Sequence, residues 1–245
     1  MLLGISDFLA TFAQNMKKIL SGSALKMIAV VTMTIDHLAL FMLRHQAEFT
    51  APLFVFHNKA INWYVIMRCI GRLAFPLFAF LIVEGFLHTS NRRRYGYSLL
   101  ICALVSEIPW ALLHHGFHLT GHNVLFTLLL GFLGLCVIER YQDDRIRQGV
   151  LLLTMFVFAI LFHADYGGAG FAFIVLLYIL RQQPVMQAVI GSCMLPLMWV
   201  AGFAFIPINM YDGSRGFIRG QLAKYLVYVY YPLHLLVIYL AVSCV

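Results

Sequence analysis

Long apolar stretches, separated by short polar segments, dominate the chain. They run from about Ala24 to Leu43, Ile61 to Leu87, Tyr95 to Leu113, Asn123 to Ile138, Val150 to Phe162, Gly170 to Leu180, Val185 to Ile206 and Tyr225 to Val242. A helix that crosses a bilayer needs about 20 mainly apolar residues. The pattern therefore predicts an all-α, polytopic transmembrane bundle of about eight spans. The sixth stretch is short and follows the turn Tyr166-Gly167-Gly168-Ala169-Gly170; Pro196 interrupts the seventh, and Pro232 and His234 lie within the eighth. The opening segment MLLGISDFLATFAQNMKKIL lacks an early basic region and a small-residue cleavage site. It reads as an amphipathic interfacial helix over residues 1–20, not a cleaved signal, followed by one transmembrane domain over residues 21–245.

Composition leaves no soluble alternative. The chain is 62% hydrophobic and 11% charged, against roughly 25% charged for a soluble domain. The net charge of +7 is explained by basic residues anchoring short loops, and no basic stripe alternates with exposed aromatics as nucleic-acid binding would require. With the N-terminus inside, Lys17, Lys18, Arg92, Arg93, Arg94, Arg140, Arg145, Arg147 and Arg181 fall in inner segments. Arg44, Lys59, Arg215, Arg219 and Lys224 fall in outer ones, so both termini are expected in the cytoplasm. The loop after the seventh stretch, with its three basic residues, runs against this bias and is expected to dip back into the bundle. Cys69, Cys102, Cys136, Cys193 and Cys244 form no CxxC pair and read as small buried hydrophobes, with no metal or disulfide.

The informative residues are the charged ones that should not be in lipid. Each costs roughly 2.5–3.5 kcal/mol on insertion scales and persists when it lines a cavity or pairs with another. Asp36, His37, Arg68, Arg72, Glu84 and Glu107 are of this kind. At 1.5 Å per residue, counted from the cytoplasmic end of each span (Ala24, His88, Tyr95 and Glu139), His37 lies about 20 Å deep, Arg72 about 24 Å, and Glu107 and Thr127 about 18 Å. Four spans thus offer polar groups to one layer, which predicts a polar chamber. Lys26 and His37, eleven residues apart, share a helix face, as do Arg68 and Arg72, four apart. An imidazole at such a depth suits proton transfer. His114, His115, His118 and His122 crowd an outer loop without a defined zinc spacing, and His234 reads equally as a structural or a chamber residue.

Leu25-Lys26-Met27-Ile28-Ala29 followed by Met33-Thr34-Ile35-Asp36-His37 resembles the opening of the TraX family. So do Gly71-Arg72-Leu73-Ala74-Phe75-Pro76-Leu77-Phe78-Ala79-Phe80, Val83-Glu84-Gly85-Phe86, His88-Thr89-Ser90, Asn123-Val124-Leu125-Phe126-Thr127 and Asp165-Tyr166-Gly167. That family is named for a conjugation protein that acetylates the N-terminus of F-type pilin, and it is similar to the larger membrane acyltransferase superfamily. Those enzymes share a basic residue, ten intervening residues and a functional histidine, a spacing that Lys26 and His37 match. The resemblance implies a protein of the bacterial inner membrane that moves an acetyl group from cytoplasmic acetyl-CoA to an amine or hydroxyl acceptor, a pilin-like peptide or a glycan, at the outer side. It implies His37 as base or acetyl carrier, Asp36 or Glu107 as its orienting partner, and Arg72 beside the reacting centre. Lys26, Arg68, Arg92, Arg93, Arg94 and Tyr97 would hold the coenzyme, and no metal is implied. Two readings compete: a proton-coupled transporter or channel, which also buries Asp, Glu, His and Arg, and a structural subunit whose charges pair with a missing partner.

Overall fold

The computed structural model describes residues 17–56, 59–114, 116, 121–194, 196–218 and 220–244, without side chains at 196–199 and 221–224. Most of the interfacial helix expected over residues 1–20 lies outside the described residues, and Lys17–Leu20 are not helical. Polar side chains at the N-terminal ends start the long helices by accepting otherwise orphaned backbone N–H groups. Ser21 caps α1 (Gly22–Leu38), which continues into a π-turn at Ala39–Leu43. A short helix α2 (Ala47–Thr50) and a hairpin of β1 (Phe54–Phe56) and β2 (Lys59–Ile61), Phe54 opposite Ile61, lead to α3 (Trp63–Gly71), capped by Asn62. Asn91 caps α5 (Arg92–Leu113), Asn123 caps α6 (Val124–Arg140) and Asp144 caps α7 (Arg145–Leu161). Helix α4 (Ala74–His88) continues α3 after a break at Arg72-Leu73. Pro76, in its first turn, has no N–H to offer the Arg72 carbonyl, which fixes the break there.

Four helical stretches are long and apolar enough to cross a membrane: Gly22–Leu43, Trp63–His88, Arg92–Leu113 and Tyr225–Ser243. The count of about eight is not reached by that measure. Helices α6 and α7 are each 17 residues long, and α8 (Gly167–Ile179) has 13. The seventh stretch is not one span. Helix α9 (Pro184–Met194) has 11 residues, about 16 Å of rise. The chain then turns and comes back through a 3-10 segment (Pro196–Ala204) and α10 (Phe205–Asn209), with Gly191 packed on the Phe205 ring.

Contacts fix the direction of each element. The end of α4 meets the start of α5 where Gly85 lies under the Tyr95 ring. Arg92 of α5 pairs with Glu139 near the end of α6, and Tyr178 of α8 donates to the same Glu139 at 3.4 Å. One face of the bundle therefore collects Lys17, Lys18, Arg92–Arg94, the Arg140–Arg147 turn and Arg181. We call it the basic face, and the opposite one the far face.

The loop before α11 (Gly220–Ser243) belongs to the basic face. Its backbone is tied to the start of α1 by Gly22 N–H to Ser214 O (2.8 Å) and Ser23 N–H to Arg215 O (3.0 Å). The Ser23 hydroxyl donates to Arg215 O (2.7 Å) and accepts from Ile218 N–H (2.8 Å). Beside it, Ser214 holds the Asp212 carboxyl below its ordinary range by donating hydrogen bonds to it. Helix α11 then runs parallel to α1 and α5: Arg94 donates to the Tyr225 hydroxyl (3.2 Å), Cys102 Sγ reaches Tyr228 O (3.3 Å), and Thr34 meets the Tyr230 hydroxyl (2.7 Å). Pro232 explains the second contact, since its missing N–H leaves the Tyr228 carbonyl open to the thiol. Two expectations are thereby corrected. Arg215 lies beside the start of α1, not on the opposite side, and α11 ends on the far face, so Lys17 and Cys244 are on opposite faces.

The core that holds these directions is apolar: Leu25 and Ala29 of α1, Leu77 and Val83 of α4, Phe132 and Leu135 of α6, Phe173 and Leu177 of α8, and Leu235 of α11 are buried together. Single cysteines introduced at Arg215 and Ser243 in oriented vesicles are expected to react with an impermeant maleimide from opposite sides. Reaction of both from one side contradicts this arrangement.

Candidate functional site

The chamber residues resolve into three linked groups. The innermost is a pair of imidazoles. His37, 8% exposed, lies on α1 two residues before the π-turn at Ala39–Leu43, a distortion that recurs at functional sites. Its Nδ1 is 2.7 Å from Nε2 of His234, and the rings are nearly parallel, 8° apart. His234 Nδ1 is 3.0 Å from the carbonyl of Tyr230, one turn earlier on α11. Trp110, Tyr231 and Phe41 surround the His37 ring, with centroids 6.1–6.2 Å away. The Tyr231 hydroxyl is buried and, with Asp36 Oδ1, has no hydrogen-bond partner among the described residues.

The second group is ionic. Asp36 Oδ2 pairs with Arg68 at 2.6 Å, both side chains less than a fifth exposed. The close approach of α1 to α3 requires Gly71, since a Cβ there would fall on Oδ1 and Cβ of Asp36. Arg72, at the break between α3 and α4, lies near the Tyr166 hydroxyl and interacts with it electrostatically. Tyr166 lies flat on Phe75, ring centroids 3.8 Å apart. This stacking holds Tyr166 in left-handed backbone, φ 64°, which costs an L-residue roughly 1–2 kcal/mol.

The third group braces the far face. Glu107 of α5 accepts from His122 Nδ1 (2.7 Å), Asn123 Nδ2 (2.5 Å) and Asn123 N–H (3.2 Å). Trp110 Nε1 donates to Gly121 O (2.6 Å). Residues 121–122 in turn bind the loop before α8: His122 N–H donates to His163 O (3.1 Å) and Asp165 N–H to His122 O (2.9 Å). The Thr127 hydroxyl donates to Asp165 O. These segments enclose a cavity of about 210 Å³ lined by Glu107, Trp110, His114, Gly121, His122 and Asp165. Packing around Asp165 pushes its carboxyl up to about 6, against a hydrogen bond from the Tyr166 N–H and the attraction of Arg72. The residue is nonetheless exposed, and it lines the cavity. Trp110 is the wall shared by this cavity and the His37 ring.

Several expected roles are corrected by this geometry. Neither Asp36 nor Glu107 orients His37: Asp36 is held by Arg68, Glu107 by His122 and Asn123, and the partner of His37 is His234. The three arginines that open α5 do not form one clamp. All three are exposed; Arg92 pairs with Glu139 and lies over the Phe86 ring, and Arg94 reaches Tyr225. Tyr97 is 65% exposed on the outside of α5, away from the chamber. Lys26 is half-buried near the start of α1, three helical turns below His37. His114 and His122 line the cavity, whereas His115 and His118 lie outside the described residues.

Comparison with known families places the chain. The model described as TraX protein matches residues 21–242. The chain belongs to the TraX family. Among curated relatives of this TraX protein is the "Probable fimbrial assembly protein FimC, serogroup H1" of Dichelobacter nodosus, 28% identical over 250 residues that cover 88% of this chain and 93% of the relative. No solved structure matches the chain.

Two stability measurements test the TraX site as described. Gly71→Ala is expected to displace Asp36 and cost on the order of 1–3 kcal/mol. Gly149→Ala, with nothing within 4 Å of the new methyl group, is expected to be neutral or to gain up to about 1 kcal/mol as helix propensity improves. In a double-mutant cycle, Asp36→Asn and Arg68→Gln should each lower the melting temperature in detergent, and the pair together should lose less than the sum, because each single change strands a partly buried charge.

Proposed function

We propose that this TraX-family protein is a membrane-embedded acetyltransferase, with acetyl-CoA as donor from the basic face and a pilin-like amine or hydroxyl group as acceptor at the far face. The observation that carries the reading is the imidazole pair His37–His234, buried at the level where Trp110 separates it from the far-face cavity. The basic face is the cytoplasmic one by the positive-inside rule. The bias strengthens once Arg215 joins that face, since Arg44 and Lys59 remain as the described basic residues opposite. This orientation places α1 with its start in the cytoplasm and His37 beyond mid-membrane. The fimbrial relative supports a pilus-related acceptor.

In this mechanism the acceptor nitrogen or oxygen attacks the thioester carbonyl carbon. A C–N or C–O bond forms as the C–S bond breaks, and the electron pair leaves on sulfur. His37 takes the acceptor proton and returns it to the thiolate, so coenzyme A leaves as the thiol. The Tyr231 hydroxyl, unpartnered in the same aromatic cluster, is a donor for the developing oxyanion. All three arginines that open α5 are exposed, and among the described residues Arg92 is paired with Glu139 and Arg94 hydrogen-bonded to Tyr225, so coenzyme phosphate capture falls to Arg93 together with Lys26.

Purified protein incubated with radiolabelled acetyl-CoA is expected to release coenzyme A or to acquire label. His37→Ala should lower that rate by at least about 10². Arg93→Glu should raise KM for acetyl-CoA several-fold at unchanged kcat. Full activity in His37→Ala defeats this mechanism, and a wild-type protein inert to acetyl-CoA in lipid vesicles but carrying protons across them favours the transporter reading.

A further inference from the structure

The protonation pattern of the imidazole pair follows from its partners. A carbonyl oxygen only accepts, so His234 Nδ1, 3.0 Å from Tyr230 O, carries the proton of that hydrogen bond. In a neutral ring the other nitrogen then bears the lone pair. His234 Nε2 is therefore an acceptor, and the group 2.7 Å away, His37 Nδ1, must donate to it. By the same rule the lone pair of His37 resides on Nε2. A second proton on His234, at Nε2, would reverse the middle bond, but a resting cation there, 8% and 7% exposed on the two residues of the pair and walled by Trp110, Tyr231 and Phe41, bears the desolvation cost that neutral rings avoid.

We propose that His234 is the positioning residue of the transfer: through its Tyr230-anchored ring it fixes His37 in the tautomer whose Nε2 is the base. The inference rests on the acetyltransferase reading for its consequence, though not for its geometry. When His37 Nε2 takes the acceptor proton, its Nδ1–H bond to His234 becomes charge-assisted and shorter. His234 thus stabilises the imidazolium that forms, and this stabilisation appears only as the proton moves. In many hydrolases a carboxylate does this work. In a membrane layer a neutral imidazole does it without placing a second full charge in lipid. Asp36, adjacent in sequence, is occupied by Arg68 and points to another helix. The parallel course of α1 and α11 supplies the alignment, with Thr34–Tyr230 one turn below setting the register for His37–His234.

The experiment uses the full chain in lipid nanodiscs, with ¹⁵N-labelled histidine and radiolabelled acetyl-CoA. Ring-nitrogen shifts at neutral pH should show His37 protonated at Nδ1 and bare at Nε2, assigned by its loss in His37→Ala. His234→Phe, which keeps the ring volume but removes the acceptor, should give a mixture of His37 tautomers and a kcat lower by on the order of 10², with KM for acetyl-CoA unchanged. His234→Gln, whose side-chain oxygen can reach the Nε2 position, should recover most of the rate. A proton on His37 Nε2 in the wild type overturns the proposal, as does a wild-type kcat in His234→Phe or a failure of His234→Gln to exceed His234→Phe. A wild-type protein inert to acetyl-CoA overturns the acetyltransferase reading instead, and leaves the tautomer to be judged by the ring-nitrogen shifts alone.

Discussion

A polar group placed in lipid must find its partner within the protein, because there is no water to supply one. Most of the polar side chains in this bundle answer that constraint, the Tyr231 hydroxyl and one oxygen of Asp36 excepted among the described residues. Asp36 meets Arg68, Glu107 meets His122 and Asn123, Arg72 meets Tyr166, and His37 meets His234. The groups form a layer because each helix brings its polar residue to the depth at which its neighbour can satisfy it. Remove the pairing and the same residues become several separate insertion penalties. The apolar core around Leu77, Phe132, Phe173 and Leu235 is what keeps the helices close enough for these bonds to form.

Pairing also divides labour among residues of the same type. Arg68, Arg72, Arg92 and Arg94 all have side-chain partners that tie one segment to another, and Arg93 does not share their placement. Of the three acidic residues at depth, Asp36 and Glu107 act as braces, and Glu84 lies near the basic end of α4, within reach of His88 at 3.6 Å. The imidazole pair is different in kind: both members can exchange protons, and neither is held by a full opposite charge. That is the physical distinction between a structural contact and a candidate reacting one, and it separates His37 from its charged neighbours more sharply than depth alone.

Depth was readable from residue numbers. Counting rise per residue put His37, Arg72, Glu107 and Thr127 at similar heights; the structure ties His37 to α11, and Glu107 and Thr127 to the segments at 122–123 and 165. Caps at Ser21, Asn62, Asn91, Asn123 and Asp144, and the long apolar runs of α1, α3–α4, α5 and α11, are local signals of the kind a sequence carries openly. Partner choice was not readable. His37 and His234 are 197 positions apart, and nothing local distinguishes a histidine that meets another from one that packs alone. Adjacency suggested Asp36, yet neighbouring helical residues point about 100° apart, and Gly71 opened the other side to Arg68. The hairpin at α9–α10 was hidden for a related reason: a 22-residue apolar run reads alike whether it crosses or doubles back, and only Pro196 hinted at the turn. Counting eight crossings set Arg215 opposite the start of α1, whereas the hairpin brings it back beside Ser23.

The contact between α1 and α11 joins the earliest membrane helix of the described chain to the last. During synthesis the first of these leaves the ribosome long before the second, so His37 spends most of its biogenesis beside a vacant groove. The pair is completed only by assembly: a chain truncated before α11 lacks the partner of His37, and the final helix brings both Tyr231 and His234 against that ring in one docking step.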